Sequence, residues 1–179
     1  AQAVHAEGGA IFSQLFHPGR EIMESADGLL AVAYAPSVSP NERFHVMPRA
    51  LDLPLLREII EGYAQAARRM WQAGLDGVEF VASHGYLPAQ FLNPRVNRRS
   101  DDYGGDIERR AAFMRKIVEG IRRQVGPDFP IIIRLCGEEL LSDRGGNTPE
   151  ESLTAIKIAE KAGIDCLSVT AGWQESAVS

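Results

Sequence analysis

Residues 79–105, EFVASHGYLPAQFLNPRVNRRSDDYGG, hold the densest chemistry of the chain. An apolar run there ends in Ser83, His84, Gly85 and Tyr86. An imidazole and a phenol separated by one residue, in an extended or turning segment, could both face one mouth. There they could orient hydrogen bonds to a carbonyl or anionic oxygen, or protonate a carbanion. Each also has a plainer reading. A single histidine past a strand is more often a hydrogen-bonded loop residue than a catalyst, and a tyrosine ring can pack on its loop with its hydroxyl bonded to backbone.

Two further polar side chains sit inside apolar runs, Gln14 in AIFSQLF and Arg134 in PIIIRL. A buried amide left unpaired costs on the order of 1–3 kcal/mol. A guanidinium in such a run must meet a carboxylate, an anion or a polar ligand. For both, an internal polar network and a ligand contact stand as alternatives. His17 and Arg20, in HPGR, could touch substrate or phosphate, or could pin the segment that follows. The mixed charges of Asn97, Arg98, Arg99, Asp101 and Asp102 read as a salt-bridged lattice fixing a loop. No GxGxxG, Walker pattern or His/Cys metal spacing occurs, so dinucleotide-fold, P-loop and zinc chemistry have no motif here.

The elements that must position these groups follow from periodicity and punctuation. Residues 10–16 form a β-prone run after Gly8-Gly9, which suits a helix C-cap leading into a buried strand. From there to about residue 51 the chain is rich in Pro, Ser and Gly without period, and a loop that long is a lid, a substrate loop or disordered. Pro54 opens a helix with Leu56, Ile59, Ile60 and Tyr63 at helical spacing, which Gly74 ends. A strand follows at 77–82. Asp106 can cap a second helix, with Phe113, Ile117 and Ile121 inward and Gly126 at its end, before a strand at 130–135. Thr148-Pro149-Glu150-Glu151 is a capping box for a third helix running to Gly163, and a fourth strand spans 166–171.

One joint recurs: Ala73-Gly74-Leu75-Asp76 and Ala162-Gly163-Ile164-Asp165 each precede a buried run. The alternation of near-continuous apolar strands with helices predicts parallel strands under helices, in a doubly wound sheet or a (β/α)8 barrel. A barrel needs eight strands and eight helices in roughly 250 residues. The pattern therefore reads as the middle of a barrel.

With 179 residues, 45% of them hydrophobic and 24% charged, the chain can build one sizeable core. A net charge of −5 with interspersed signs carries no nucleic-acid footprint. The densest basic pairs, Arg109-Arg110 and Arg122-Arg123, read as solvated helix faces. Cys136 and Cys166, outside any CxxC spacing, support neither a disulfide framework nor a metal cluster and fit a reduced, cytoplasmic setting. No run approaches the roughly 20 apolar residues of a membrane helix, and no signal-peptide pattern opens the sequence. Ala1 falls inside what reads as the tail of a helix, so a natural start is not expected there.

Four segments together resemble the old yellow enzyme family of FMN-dependent NADH:flavin oxidoreductases. They are QLFHPGR at 14–20, AGLDGVEFVASHGYLPAQFLNPRVNRRSDDYGGDIERR at 73–110, VGPDFPIIIRL at 125–135 and AGIDCLSVTAGW at 162–173. The resemblance covers most of the chain, and the second segment is very specific. It implies an α/β fold, a partial (β/α)8 TIM barrel of about strands 3 to 6, with residues 1–179 forming a fragment of a single FMN-binding domain. It places Gln14 at the flavin pyrimidine edge and Arg134 near the N1/C2 carbonyl, where a cation stabilises the reduced anion. Tyr86 becomes the proton donor to the α-carbon, after hydride has passed from flavin N5 to the β-carbon of an activated alkene. NAD(P)H is the implied reductant.

His84 is expected beside Tyr86 in the catalytic pair, and His17, Arg20 and Gln174 in substrate binding. Many members carry a His/His or His/Asn pair for the substrate carbonyl; Val81 stands in place of the first, and His84 is what remains. GWQES is similar to the 2,4-dienoyl-CoA reductase branch, with Gln174 where that branch has a histidine. LPAQFLNP is similar to trimethylamine dehydrogenase. Iron–sulfur and FAD, and the loops that bind the FMN phosphate, would belong to segments outside these residues. The implied activity is NAD(P)H-driven reduction of an enoate or dienoyl-CoA double bond in a small-molecule substrate, without nucleic acid or membrane. The alternative is a catalytically inactive half barrel stabilised as a homo-oligomer, because two open apolar strand edges suit a lone monomer poorly.

Overall fold

The long helices begin where side chains satisfy their first free amides. Asp52 accepts from Leu55 N at 2.8 Å to open α2, with Pro54 in its first turn. Thr148 accepts from Glu151 N at 3.2 Å while Glu151 accepts from Thr148 N at 3.1 Å, the reciprocal box read from the sequence. In chain order the computed structural model, which describes residues 1–22 and 31–176, contains twelve α-helices and β-strands and one 3₁₀ turn at Ser142–Arg144. These are α1 (Gln2–Ala6), β1 (Phe12–Leu15), β2 (Tyr34–Ala35), β3 (Arg49–Ala50), α2 (Leu53–Gln72) and β4 (Gly77–Ala82). Then follow α3 (Leu87–Leu92), α4 (Ile107–Arg110), α5 (Ala112–Val125), β5 (Ile131–Glu138), α6 (Pro149–Ala162) and β6 (Cys166–Ala171).

The main sheet is parallel, in the order β1-β4-β5-β6, so each βαβ step adds the next neighbour. That order is the one a barrel takes, and the sheet is a partial barrel. Both Asp-containing joints do the same work. Asp76 N donates to Ile11 O at 3.0 Å and its Oδ2 accepts from Ile11 N at 2.7 Å. Asp165 repeats the clasp on Ile131, at 2.9 and 2.8 Å. Each aspartate thus locks the start of its own strand to the strand before it, which sets the parallel register.

One face of the sheet is buried by α2, α5 and α6 around Leu56, Phe80, Phe113, Ile117, Ile131 and Ile133. Phe91 of α3 stacks on Phe113 with centroids 4.2 Å apart. Gln14, Glu79 and Arg134 belong to the opposite face, by the two-residue period of the strands. Phe12 and Phe16 on the first edge and Val169 on the last remain exposed.

Several expectations need correction. The basic pairs are not wholly solvated helix faces. Arg110 is buried and bonds Leu92 O at 2.6 Å, Gly105 O at 2.7 Å and Glu151 at 2.6 Å. Arg122 binds Gly163 O, Phe129 O and Asp165, tying two strand entrances to α5. Their neighbours Arg109 and Arg123 do face solvent. The expected helix from Asp106 breaks at Ala111, and the supposed loop 87–92 is α3, buried at all six residues. The long segment after β1 pairs with itself through β2 and β3. Its residues 23–30 lie outside the described residues.

Candidate active site

Strand β4 runs out at Ala82, and the next two turns of backbone decide where the chemistry points. His84 has φ of 59° and Gly85 φ of 82°, consecutive left-handed conformations that reverse the chain. Gly85 also leaves no room for a side chain, since a Cβ there would lie 3.2 Å from both Glu21 Oε1 and Trp173 Cε3. Tyr86 then caps α3 with extended backbone, its N–H donating to Ser83 O at 3.1 Å. Buried Gln90 holds the reversal from below. Its Nε2 donates to Gly85 O at 2.6 Å and Pro18 O at 3.1 Å, and its Oε1 accepts from Arg20 N at 3.3 Å.

The two titratable rings lie near one another, and of the two His84 lines the cavity described below. His84 and Tyr86 sit edge to face with centroids 6.3 Å apart, and Phe16 from the end of β1 covers Tyr86 at 5.3 Å. Burial, and then the nearby Arg134 charge, hold the His84 imidazole below its ordinary range, so at neutral pH it is uncharged. Backbone pairing of His84 with Trp173 draws the chain after β6 to the same place. Between them lies a cavity of about 330 Å³ lined by Arg43, His84, Leu140, Trp173 and Gln174. Gln174 Oε1 accepts from Arg43 Nη1 at its rim.

Below this mouth, Gln14 and Arg134 meet through a third residue. Gln14 Nε2 donates to Glu79 Oε2 at 2.5 Å, and Arg134 donates to Glu79 Oε1 through Nε at 3.0 Å and Nη2 at 2.9 Å. The row crosses three adjacent strands, with Gln14 directly opposite Glu79. Glu79 is a site residue that spacing does not single out, although a carboxylate inside the apolar run GVEFVA calls for polar partners as Gln14 and Arg134 do; Gln14 itself lies exposed on the edge strand rather than buried.

The other expected residues part company. Arg20 does not face the cavity. It is buried, with Nη2 donating to Glu175 at 2.9 Å and Nη1 to Ser39 O at 3.2 Å and to Pro40 O, and so pins the segment after β1. His17 accepts from Gly19 N at 3.0 Å and lines a different hollow, against Leu55, Ile59 and Tyr63 of α2. Burial lowers its pKa as well. Glu21, which sequence reasoning also missed, is buried beside Gly85, and burial raises its carboxyl to about 7. The 97–105 segment is scaffold, as its charges suggest. Asn97 Nδ2 donates to Phe91 O and Tyr103 O at 2.7 Å each, and Arg99 chelates Asp101.

Residues 1–176 match the NADH:flavin oxidoreductase / NADH oxidase family. The chain belongs to that family. Among curated relatives, the metal reductase of Desulforamulus reducens is 40% identical over 178 residues, 99% of this chain and 26% of the relative. The NADH oxidase of Thermoanaerobacter brockii is 42% identical over 177 residues, 98% of this chain and 27% of the relative. Among solved structures, 2-naphthoyl-CoA reductase in complex with 2-naphthoyl-CoA superposes with a TM-score of 0.86 at 38% identity, over 98% of this chain and 28% of that one. The chain therefore spans about a quarter of the length of these oxidoreductases. Family members of this kind are TIM barrels, of which the β1-β4-β5-β6 sheet is a part. Among the described residues no helix is long and apolar enough to cross a membrane.

Proposed function

We propose that these residues form part of a single FMN-binding barrel domain that uses NAD(P)H to reduce an activated C=C bond, of the enoate or dienoyl-CoA type. One observation carries the reading: a polar pair, Gln14 on β1 and Arg134 on β5, is joined through Glu79 on β4, the strand whose end presents His84 and Tyr86. The donor set fits a flavin. Its pyrimidine edge offers an imide N–H flanked by carbonyls, and an amide with a guanidinium supplies the matching acceptor, donors and positive charge. Gln14 and Arg134 would hold that edge. The flavin, when bound, supplies the hydride.

This chain's own residues supply the rest. Tyr86, braced by Phe16 and by the start of α3, delivers the proton to the α-carbon. His84, uncharged because of burial and Arg134, donates one hydrogen bond to the substrate carbonyl and leaves the acid role to the phenol. Gln174 and Arg43 at the cavity rim contact the polar part of the substrate. The likeness to a structure solved with 2-naphthoyl-CoA favours a thioester among the candidates.

Titration of the purified protein with FMN tests the reading. Uptake should perturb the flavin visible bands, and the loaded protein should oxidise NAD(P)H with an enoate or a dienoyl-CoA as acceptor. Absence of FMN uptake overturns it. The exposed Phe12, Phe16 and Val169 on the two outer strands favour a second reading, a half barrel that is inactive and self-associated. Sedimentation of a folded monomer would count against that one.

A further inference from the structure

Glu79 is the most constrained acidic group on the inner face of the sheet, and its two oxygens are divided between two partners. Oε2 takes Gln14 Nε2 at 2.5 Å, and Oε1 takes both Nε and Nη2 of Arg134, at 3.0 and 2.9 Å. A carboxylate only accepts, so it obliges the Gln14 amide to turn its NH2 towards Glu79. The amide oxygen is thereby turned the other way. The side-on grip on Arg134 likewise leaves Nη1 as the edge of the guanidinium free to donate elsewhere. Glu79 itself is only 14% exposed in its side chain, whereas Arg134 is 34% exposed, so the carboxylate sits behind and its partner in front.

We propose that Glu79 is the positioning residue of the flavin-facing pair: it fixes the amide orientation of Gln14 and the guanidinium orientation of Arg134, and its negative charge offsets part of the Arg134 charge. This rests on the flavin reading given above and deepens it. With both side chains oriented before the cofactor arrives, less side-chain freedom is lost on binding. The offset charge has a second consequence. A cation beside a flavin favours the reduced anion, and a carboxylate bonded to that cation opposes it, so Glu79 holds the flavin potential lower than Arg134 alone would set it.

The test compares wild type with Glu79→Gln and Glu79→Asp, by FMN titration and by the flavin midpoint potential. Glu79→Gln removes the charge and can accept from only one partner at full strength. FMN affinity should fall about tenfold, and the potential should rise by roughly 30 mV, a tenfold change in a two-electron equilibrium. Glu79→Asp keeps the charge and withdraws the oxygens, so affinity should fall while the potential stays near that of wild type. Wild-type uptake of FMN with both variants unchanged in both measurements overturns the role of Glu79 and leaves the flavin reading standing. Failure of the wild type to take up FMN overturns both. If Glu79→Gln loses its circular dichroism, Glu79→Asp decides alone, and wild-type affinity in that variant overturns the proposal.

Discussion

Arg20 Nη2 donates to Glu175 Oε1 at 2.9 Å across 155 residues of sequence, with the two side chains 2% and 1% exposed. Glu175 also accepts from Arg95 Nη1 at 2.8 Å and Glu42 N at 3.1 Å. One carboxylate therefore ties the end of β1, the segment after it, the chain past α3 and the end of β6 into one rim around the cavity. Removing one member of a buried ion pair strands the other charge and typically destabilises by about 3–5 kcal/mol. Glu175→Ala should lower the urea-unfolding free energy by about that much. A drop below about 1 kcal/mol would show that water reaches Arg20 and that the rim is not held this way.

Tyr86→Phe separates the two half-reactions. The substitution keeps the ring against Phe16 and His84 and removes only the hydroxyl. Flavin reduction by NAD(P)H should persist, while alkene reduction falls by about 10²-fold or more, the usual loss for a missing general acid. Stopped-flow traces of the two steps check this. Unchanged turnover would take Tyr86 out of the mechanism.

His84 stores strain at the site. A residue with a side chain at φ of 59° sits in the left-handed region that glycine adopts freely, and such conformations cost of order 1–3 kcal/mol. His84→Gly should raise the unfolding free energy by about 1 kcal/mol while raising KM for the carbonyl substrate, since the strain is relieved and the hydrogen-bond donor is lost. Thermal melts and steady-state kinetics on one preparation read both. A variant that is less stable than wild type would mean that the Trp173 pairing, not the side chain, sets this backbone.

What the sequence made legible was local. Strands β4 and β6 fall on the residues their apolar runs mark, and α6 starts at its capping box. Helix α3 was not legible, because six residues are too few to show a helical period, and although Pro88, Ala89 and Gln90 suit a helix, a segment that short holds only through its burial against α5 and β4. For Gln14 and Arg134 the polar run argument foresaw a partner without naming it. Glu79 becomes that partner only once the β1-β4-β5 register is known, and Arg20 finds Glu175 only once the chain has returned through three further strands of the main sheet. Long-range pairs of this kind leave no periodic trace.

Buried carboxyls give the fold an unusual pH response. Glu139 Oε2 accepts from Asn93 Nδ2 at 2.7 Å and Asn147 N at 2.8 Å, and Oε1 from Asn147 Nδ2 at 3.0 Å. Burial outweighs these donors and pushes its carboxyl from 4.5 up to about 7, as it does for Glu21. A carboxyl with a raised pKa holds its proton more firmly folded than unfolded. Between pH 4.5 and 7 the native state thus carries the extra proton, and its contribution to stability, complete below 4.5, is lost as pH rises through about 7. Asp101, held low chiefly by its bond to Arg99, acts in the opposite sense and only as pH falls below its ordinary 3.8. Glu139→Gln removes one titrating group, so the fall in urea midpoint across that window should be shallower than in wild type. Equal slopes would mean that Asn93 and Asn147 keep Glu139 ionised in the folded protein, and that their three hydrogen bonds, rather than desolvation, decide its state.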